Sequence, residues 1–463
     1  MLDTFLANMK RFIPVSVFTF FSSPYYAMLA FVGAVIYRFP SRNIKVIAIT
    51  GTKGKSSTVE ILNAILEEAG YTTALTNTIR FKINNESREN KYKMSMPGRF
   101  FMQQFLRNAV RAGCDYAILE MTSQGAIAYR HRFIELDAFV MTNISPEHIE
   151  SHGSYENYVS AKLSLVRDGI GRSGKSNRTI IVNADDKESD QFLNCVERVT
   201  RGAEAGTTKT AVKKITYSLQ NGEPYEIKKE GLAFTLHGAR RNVQITSPLS
   251  GLFNLYNILA AATTAQSQGV SDEVIARAVE KFNGIPGRVE KIKIKNESGG
   301  RNQDFQVVVD YAHTPDSLEK LYRVFRPDPK TNRAHESKII AILGGTGGGR
   351  DTWKRGKMGS IADTYCDEII LTDEDPYDEN PQKIVDEVAR GITSKKPTII
   401  MDRRTAIATA TRRAQKNDII LITGKGTDPY IMGPRGSKTP WSDAQIAREE
   451  LEKALSVPDP LGL

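Results

Sequence analysis

Ile44 to Thr50 reads IKVIAIT, GTKGKSS follows at once, and VEILNAILEEAG comes next. The first run is short and β-branched, the composition of a buried parallel strand. The third carries apolar residues at helical spacing and stops at Gly70, a residue that favours helix ends. Between them lie Gly51, Thr52, Lys53, Gly54, Lys55, Ser56 and Ser57. Strand, glycine loop and helix in that order can hold a phosphate, because loop amides and a helix N-terminus both present positive dipoles. In such a loop Lys55 would reach the β- and γ-phosphates and Ser56 would ligate Mg2+. The general pattern places a glycine five residues before Gly54, but Ile49 stands there. The loop is therefore a variant form, and a glycine turn without nucleotide is the plain alternative.

The same alternation continues. Asp115 to Met121 (DYAILEM), Ala138 to Asn143 (AFVMTN) and Thr179 to Asn183 (TIIVN) read as further short strands, with helical stretches between them. This order predicts a doubly wound parallel sheet. From about Ala203 to Ser247 the runs are short and polar, as in FTLHG and NVQITS, and predict a small antiparallel appendage. Pro286 and Gly287 in IPGRVEKI mark a domain joint. A second α/β series follows, with strands at Gln306–Asp310, Lys338–Leu343, Glu368–Thr372, Thr398–Met401 and Asp418–Thr423. The expectation is an α/β protein: a P-loop central domain with a parallel sheet, then a smaller Rossmann-like α/β domain. The boundaries would be a short apolar segment over 1–44, an ATP-binding domain over 45–290 and a C-terminal domain over 291–463.

A length of 463 residues fits about two to four domains. The net charge of +10 fits nucleic acid, a membrane surface or an anionic small substrate. Basic runs with interleaved aromatics are missing, so nucleic acid is not expected as a partner. Cys114, Cys195 and Cys366 are far apart and read as ordinary thiols. Phe12 to Tyr37 carries no charge and is flanked by Lys10, Arg11, Arg38, Arg42 and Lys45. Pro14, Pro24 and the Ser22-Ser23 pair interrupt it, and the better helical piece, Tyr25 to Tyr37, is too short to span a bilayer. A packed or interfacial helix and a true span both stay open. A cleaved signal peptide fits poorly, since a nucleotide site follows at once and ATP is cytoplasmic.

Three further residues sharpen the reading. Glu120 ends a predicted strand, as an acid facing Mg2+ would. His148 lies in TNISPEHIESHG and Lys162 in NYVSAK. With GLFNLYN, PGRVEKI, VVDYAHTPDSLEKL, GGGRDTWKRGKMG and LTDEDPYDENP, these segments resemble the successive motifs of the Mur ligase family, and the MurE type within it. The resemblance runs from Lys45 to the C-terminus.

The resemblance implies an ATP-dependent, ADP-forming amide-bond ligase of peptidoglycan synthesis. It would add an amino acid, expected to be a diamino acid, to a muramyl-dipeptide precursor through an acyl phosphate. The location would be cytoplasmic, with possible peripheral membrane contact through the N-terminal segment. By position, Lys55 and Ser56 would meet phosphate and a first Mg2+, with Glu120 on the same ion. His148 would bind a second Mg2+, and Lys162 matches a lysine that is carbamylated in the family. A bare ammonium repels Mg2+, whereas a carbamate is an oxygen ligand. Asn254 and Asn257 match adenine-proximal asparagines, Arg288 a hinge arginine near ATP, and Asp310 and His313 contacts to ribose and phosphates. Thr122, Arg130 and Ser95 fall where the family meets the muramyl peptide. Arg350 falls where it grips the α-carboxylate of the incoming amino acid. Glu374, Asp375, Tyr377, Gly424 and Asp428 fall around that amino acid.

Two departures accompany the resemblance. MurE-type enzymes carry an N-terminal uridine-binding domain of about 90–100 residues, and only some 45 residues precede the loop here, so the family pattern is expected without it. Where the family often has paired threonines, this chain has Ser95-Met96-Pro97-Gly98. Diaminopimelate-adding members carry Asp-Asn-Pro-Arg, and the aligned residues here are Glu374-Asp375-Pro376-Tyr377. An acidic lining of Glu374, Asp375, Asp378 and Asp428 would suit a diamino acid with one carboxylate. Arg355 or Lys357 reaching a second carboxylate is the opposing reading. A folylpolyglutamate synthetase-like ligase and a non-catalytic ATP-binding scaffold at the membrane are the alternatives.

Overall fold

The structure is a computed structural model. It describes residues 15–147, 149–201, 211–228, 231–238, 241–294, 302–326, 328, 337–349 and 352–456, without the side chains of 15–22, 150 and 198–201. His148 and Arg350 lie outside the described residues. The chain divides into two compact units. The first runs to Glu226 and takes in Ala233–Ser247 and Phe253–Phe282. The second holds Ile227–Leu232, Pro248–Leu252 and the chain from Asn283 onward.

In chain order the first unit begins with helix α1 (Val15–Ile36), strand β1 (Lys45–Thr50) and helix α2 (Lys55–Glu68). Strands β2 (Thr73–Thr76), β3 (Arg80–Ile83) and β4 (Glu86–Glu89) follow, then α3 (Arg99–Arg111), β5 (Tyr116–Glu120), α4 (Ser123–Ile127) and β6 (Ala138–Met141). After them come α5 (Ile149–His152), α6 (Tyr155–Val166), β7 (Thr179–Asn183), α7 (Ser189–Arg201) and β8 (Lys213–Tyr217). Among the described residues the main sheet has the order β4-β3-β2-β5-β1-β6-β7-β8. From β2 to β8 every pairing is parallel, and only β3 and β4 run antiparallel at the edge. β1 is the first strand in sequence yet lies between β5 and β6, so the connections leave it in opposite directions. Such a switch point opens a crevice at the carboxyl ends of the strands. The central strands β1, β5, β6 and β7 are largely apolar and buried, as strands covered on both faces are. Val46 and Ala48 of β1 meet Leu119, Met141, Met102 and Leu165 in one cluster, all essentially inaccessible.

Two local expectations change. The α1 helix runs unbroken from Val15 to Ile36 through Pro24, because a helix can tolerate the loss of one amide donor where packing supports it. Part of the region read as an appendage joins the main sheet: β8 pairs in parallel with β7 over Thr179–Asn183. Only β9 (Tyr225–Lys228), β10 (Gly231–His237) and β11 (Asn242–Ser247) form a separate three-stranded sheet. Helices α8 (Leu252–Ser267) and α9 (Asp272–Lys281) follow.

Among the described residues the second unit holds a six-stranded sheet of order β12-β13-β17-β14-β15-β16, comprising β12 (Glu290–Ile292), β13 (Gln306–Asp310), β14 (Ile339–Leu343), β15 (Glu368–Leu371), β16 (Thr398–Ile399) and β17 (Ile419–Thr423). Only the β12–β13 pairing is antiparallel. The loops after β13, β14, β15 and β17 therefore leave the same edge of the sheet. They carry Asp310–His313, Gly344–Gly349, Thr372–Tyr377 and Gly424–Asp428 respectively.

Candidate active site

The crevice beside β1 is built from three strand ends. Gly54 caps α2 with φ 80°, a left-handed conformation that costs glycine least. Asn257 of α8 packs directly on it, so that a Cβ at Gly54 would collide with the Asn257 amide. Asn257 in turn donates to Asn254 Oδ1 at 3.1 Å, and both asparagines are buried. The loop is pinned from β6: the Thr52 amide donates to Asn143 O at 2.7 Å and the Lys53 amide to Asn143 Oδ1 at 2.9 Å. Thr52 Oγ1 also meets Tyr158 OH at 2.7 Å. Lys55 Nζ donates to Thr52 O at 2.9 Å, and Lys53 pairs with Glu147 at 2.7 Å.

Ser56, Glu120 and Ser95 come together. Ser56 Oγ donates to Glu120 Oε2 at 2.7 Å, and Ser95 Oγ donates to Glu120 Oε1 at 2.9 Å. Thr78 adds its amide to Glu120 Oε2 at 3.2 Å and its hydroxyl to Ser56 at 2.8 Å. Glu120 is nearly inaccessible. A carboxylate and a serine hydroxyl in contact are hard oxygen donors of the kind Mg2+ prefers. Among the described residues no three His, Cys, Asp or Glu side chains cluster as a ready-made metal cage. Mg2+ typically keeps few protein ligands and takes the rest from phosphate and water.

Lys162 of α6 lies behind the loop. Its Nζ donates to Gly51 O at 2.7 Å and approaches Thr50 Oγ1 at 3.4 Å. Burial, and next the positive charge of Lys55, hold its ammonium pKa well below the ordinary lysine value. Thr122 caps α4, accepting from the Gly125 amide at 3.1 Å. Arg130 donates to Met96 O at 2.5 Å, which ties the segment after α4 to Ser95-Met96-Pro97. A groove of about 450 Å3 opens beside them, with Ser23, Tyr26, Tyr129, His152 and Arg167 in its wall.

In the second unit Arg288, Asp310 and His313 gather around Tyr311. The Arg288 guanidinium lies 4.4 Å over the Tyr311 ring. Asp310 accepts from the Val289 and Ala312 amides at 2.8 and 2.7 Å. His313 Nδ1 meets Tyr311 O at 2.7 Å. Glu374 is buried, and burial raises its pKa. One oxygen accepts from Thr346 Oγ1 at 2.9 Å, and Oε2 finds no hydrogen-bond partner among the described residues. Gly424 has φ 106°, and a side chain there would strike the Glu374 carboxylate. Asp375 is not an open acid: it pairs with fully buried Lys425 at 2.8 Å and accepts from the Met432 amide at 2.7 Å. Asp428 approaches the same lysine at 3.4 Å. Tyr377 has φ 53° and donates its amide to Met432 O at 3.0 Å. Arg355 is locked between Glu379 and Glu387 at 3.0 and 2.6 Å.

The sequence reading missed Thr78, Asn143, Tyr158 and Lys425. Asn143 and Tyr158 stood inside segments already singled out, TNIS and NYVSAK, and Lys425 stands between the singled-out Gly424 and Asp428. Thr78 follows β2 in a stretch without a glycine or charge signature.

A phosphate loop at the switch point of one α/β sheet, with a second α/β unit following in the chain, defines a nucleotide-using enzyme. Residues 49–265 match the Mur ligase middle domain, and residues 287–426 match the Mur ligase, glutamate ligase domain. A UDP-N-acetylmuramoyl-L-alanyl-D-glutamate--2,6-diaminopimelate ligase of Syntrophomonas wolfei is 33% identical over 426 residues, 91% of this chain and 81% of that protein. A UDP-N-acetylmuramyl-tripeptide synthetase of Roseiflexus sp. is 34% identical over 445 residues, with the same shares covered. A solved UDP-N-acetylmuramoyl-L-alanyl-D-glutamate--2,6-diaminopimelate ligase superposes with a TM-score of 0.59 at 26% identity, covering 89% of this chain and 78% of that one. The chain belongs to the Mur ligase family, and it is an ATP-dependent ligase.

Gly54→Ala forces a left-handed alanine into the Asn257 amide. Titration calorimetry with ATP and Mg2+ is expected to show affinity lowered at least about tenfold, since 1.4 kcal/mol of strain already amounts to a factor of ten. Unchanged affinity would show that the loop does not carry the nucleotide.

Proposed function

We propose that this chain joins an amino acid to a UDP-N-acetylmuramyl dipeptide, in the cytoplasm beside the inner surface of the membrane, forming ADP and phosphate. The observation that carries the reading is the contact of Ser56 and Glu120 at the N-terminus of α2, with buried Lys162 behind the same loop. The dipeptide carboxylate attacks the γ-phosphorus, and an amine then displaces phosphate from the acyl phosphate. Lys55 and the first-turn amides of α2 offset charge on the phosphates. Ser56 and Glu120 are the residues that would hold Mg2+, which supplies charge neutralisation when bound. Ser95, Thr122 and Arg130 would face the dipeptide, and His148 would complete a second ion site.

We assign Lys162 as a carbamate. Its burial favours the neutral amine, which adds to carbon dioxide with loss of one proton. The product keeps one N–H, so the bond to the Gly51 carbonyl survives, and it gains oxygens that suit Mg2+. Lys162→Met is expected to retain ATP binding and lose ligation by about 10^3-fold or more, the scale of removing a catalytic group. It should also lose a carbamate signal in 13C NMR with labelled bicarbonate. Near-normal ligation by this variant contradicts the assignment.

We further propose a diamino acid with a single carboxylate, such as lysine or ornithine. Tyr377 stands where diaminopimelate enzymes of the family carry arginine. Burying an unpaired second carboxylate costs about 3–5 kcal/mol, and Arg355 is already held by two glutamates. The second oxygen of Glu374, buried without a hydrogen-bond partner among the described residues, suits a side-chain ammonium. Steady-state rates with lysine, ornithine and meso-diaminopimelate test this. The expected kcat/KM favours the single-carboxylate acids, and Tyr377→Arg narrows the preference at least about tenfold. A clear preference of the unaltered enzyme for meso-diaminopimelate overturns it.

A further inference from the structure

The α1 helix has two unlike faces. The inner face is packed: Ala30 and Ala34 are buried, and Gly33 lies against Phe100 of α3. Ser23 Oγ meets Tyr129 OH at 2.6 Å, and the Arg99 guanidinium lies 4.0 Å over the Tyr26 ring. The outer face carries Met28, Phe31, Val32, Val35 and Ile36. Their spacing of three, four, seven and eight residues is that of one helical stripe. All five are exposed, from 38% at Val32 to 57% at Ile36. The Phe31 ring meets Phe133 at 5.4 Å, and Phe133 is itself exposed. An aliphatic and aromatic stripe of this size is uncommon on a surface that faces only water.

The sequence holds no acidic residue between Asp3 and Glu60, and the charge directly after α1 is basic, with Arg42 also reaching Glu135 at 2.7 Å. Arg38 and Arg42 follow the helix directly and are exposed. No described helix is long and apolar enough to cross a membrane. An apolar helix face with a basic flank, fixed to a folded body by its other face, suits the boundary of an anionic bilayer.

We propose that the outer stripe of α1 is a peripheral docking face for an anionic lipid bilayer. Phe31, Val35 and their neighbours enter the acyl boundary, and Arg38 and Arg42 meet the headgroup phosphates. The docking gives a surface to the membrane-side placement proposed above, and it does not depend on which amino acid is ligated. The same helix supplies Ser23 and Tyr26 to the groove beside α4.

Flotation of the full chain with vesicles tests the proposal. At low salt the protein should float with phosphatidylglycerol–phosphatidylcholine vesicles and bind pure phosphatidylcholine vesicles several-fold less. Phe31→Glu with Val35→Glu should cut binding to the anionic vesicles at least tenfold, and raised salt should weaken it. Both positions are exposed, and ATP affinity and circular dichroism should match the unaltered chain. The milder pair Met28→Gln and Ile36→Gln should weaken binding in the same direction. Equal flotation of the unaltered chain and both variants overturns the proposal. So does an unaltered chain that does not float. Within that outcome, a dimer dissociated by the substitutions would assign the stripe to a second copy, and a monomer would assign it to cover by residues 1–14.

Discussion

The nucleotide loop depends on one buried amine. Lys162 Nζ reaches the carbonyl of Gly51 from α6. Asn143 holds the next two amides from the end of β6. These bonds set a loop of four residues between β1 and α2, shorter than the general pattern, because Ile49 and Thr50 remain in the strand. The order of strands makes this possible. With β1 between β5 and β6, the register that puts Ile49 beside Glu120 also puts Thr50 beside Met141. The acid, the loop and Asn143 therefore converge without any long side chain spanning a gap.

In the second unit charge is largely settled inside the protein. Arg403 and Asp443 pair at 2.7 Å with almost no exposure. Lys425 is shared by Asp375 and Asp428, and Arg355 by Glu379 and Glu387. Breaking such a pair leaves an uncompensated buried charge, so these residues order the loops after β14, β15 and β17. Glu374 differs, with one oxygen held by Thr346 and the other buried without a hydrogen-bond partner among the described residues. That contrast sets Glu374 apart from the paired acids around it.

Much of this was legible in the chain. IKVIAIT, TIIVN and QVVVD each hold an unbroken run of β-branched or aliphatic residues, which buried parallel strands favour, so β1, β7 and β13 fall where the residues place them. Strand β4 lies at the edge, and its ESRE, Glu86 to Glu89, is wholly exposed and carries no apolar signal to read. β8 reads KKITY, a polar edge strand whose place in the main sheet is set by pairing with β7 and not by its own composition. Ser56, Glu120 and Lys162 were visible as motif residues. The neutralisation of Asp375 was not, because its partner Lys425 is fifty positions away and meets it only through the β15 and β17 loops.

The central claim is that one intact site couples ATP cleavage to amide formation. Phosphate release by the full chain measures it most directly, with ATP, Mg2+, UDP-N-acetylmuramoyl-L-alanyl-D-glutamate and a diamino acid. Release should require both the dipeptide and the amino acid, with one tripeptide formed for each phosphate. Phosphate release that is unaffected by omitting the dipeptide, or ATP binding with no turnover under any of these conditions, would contradict it.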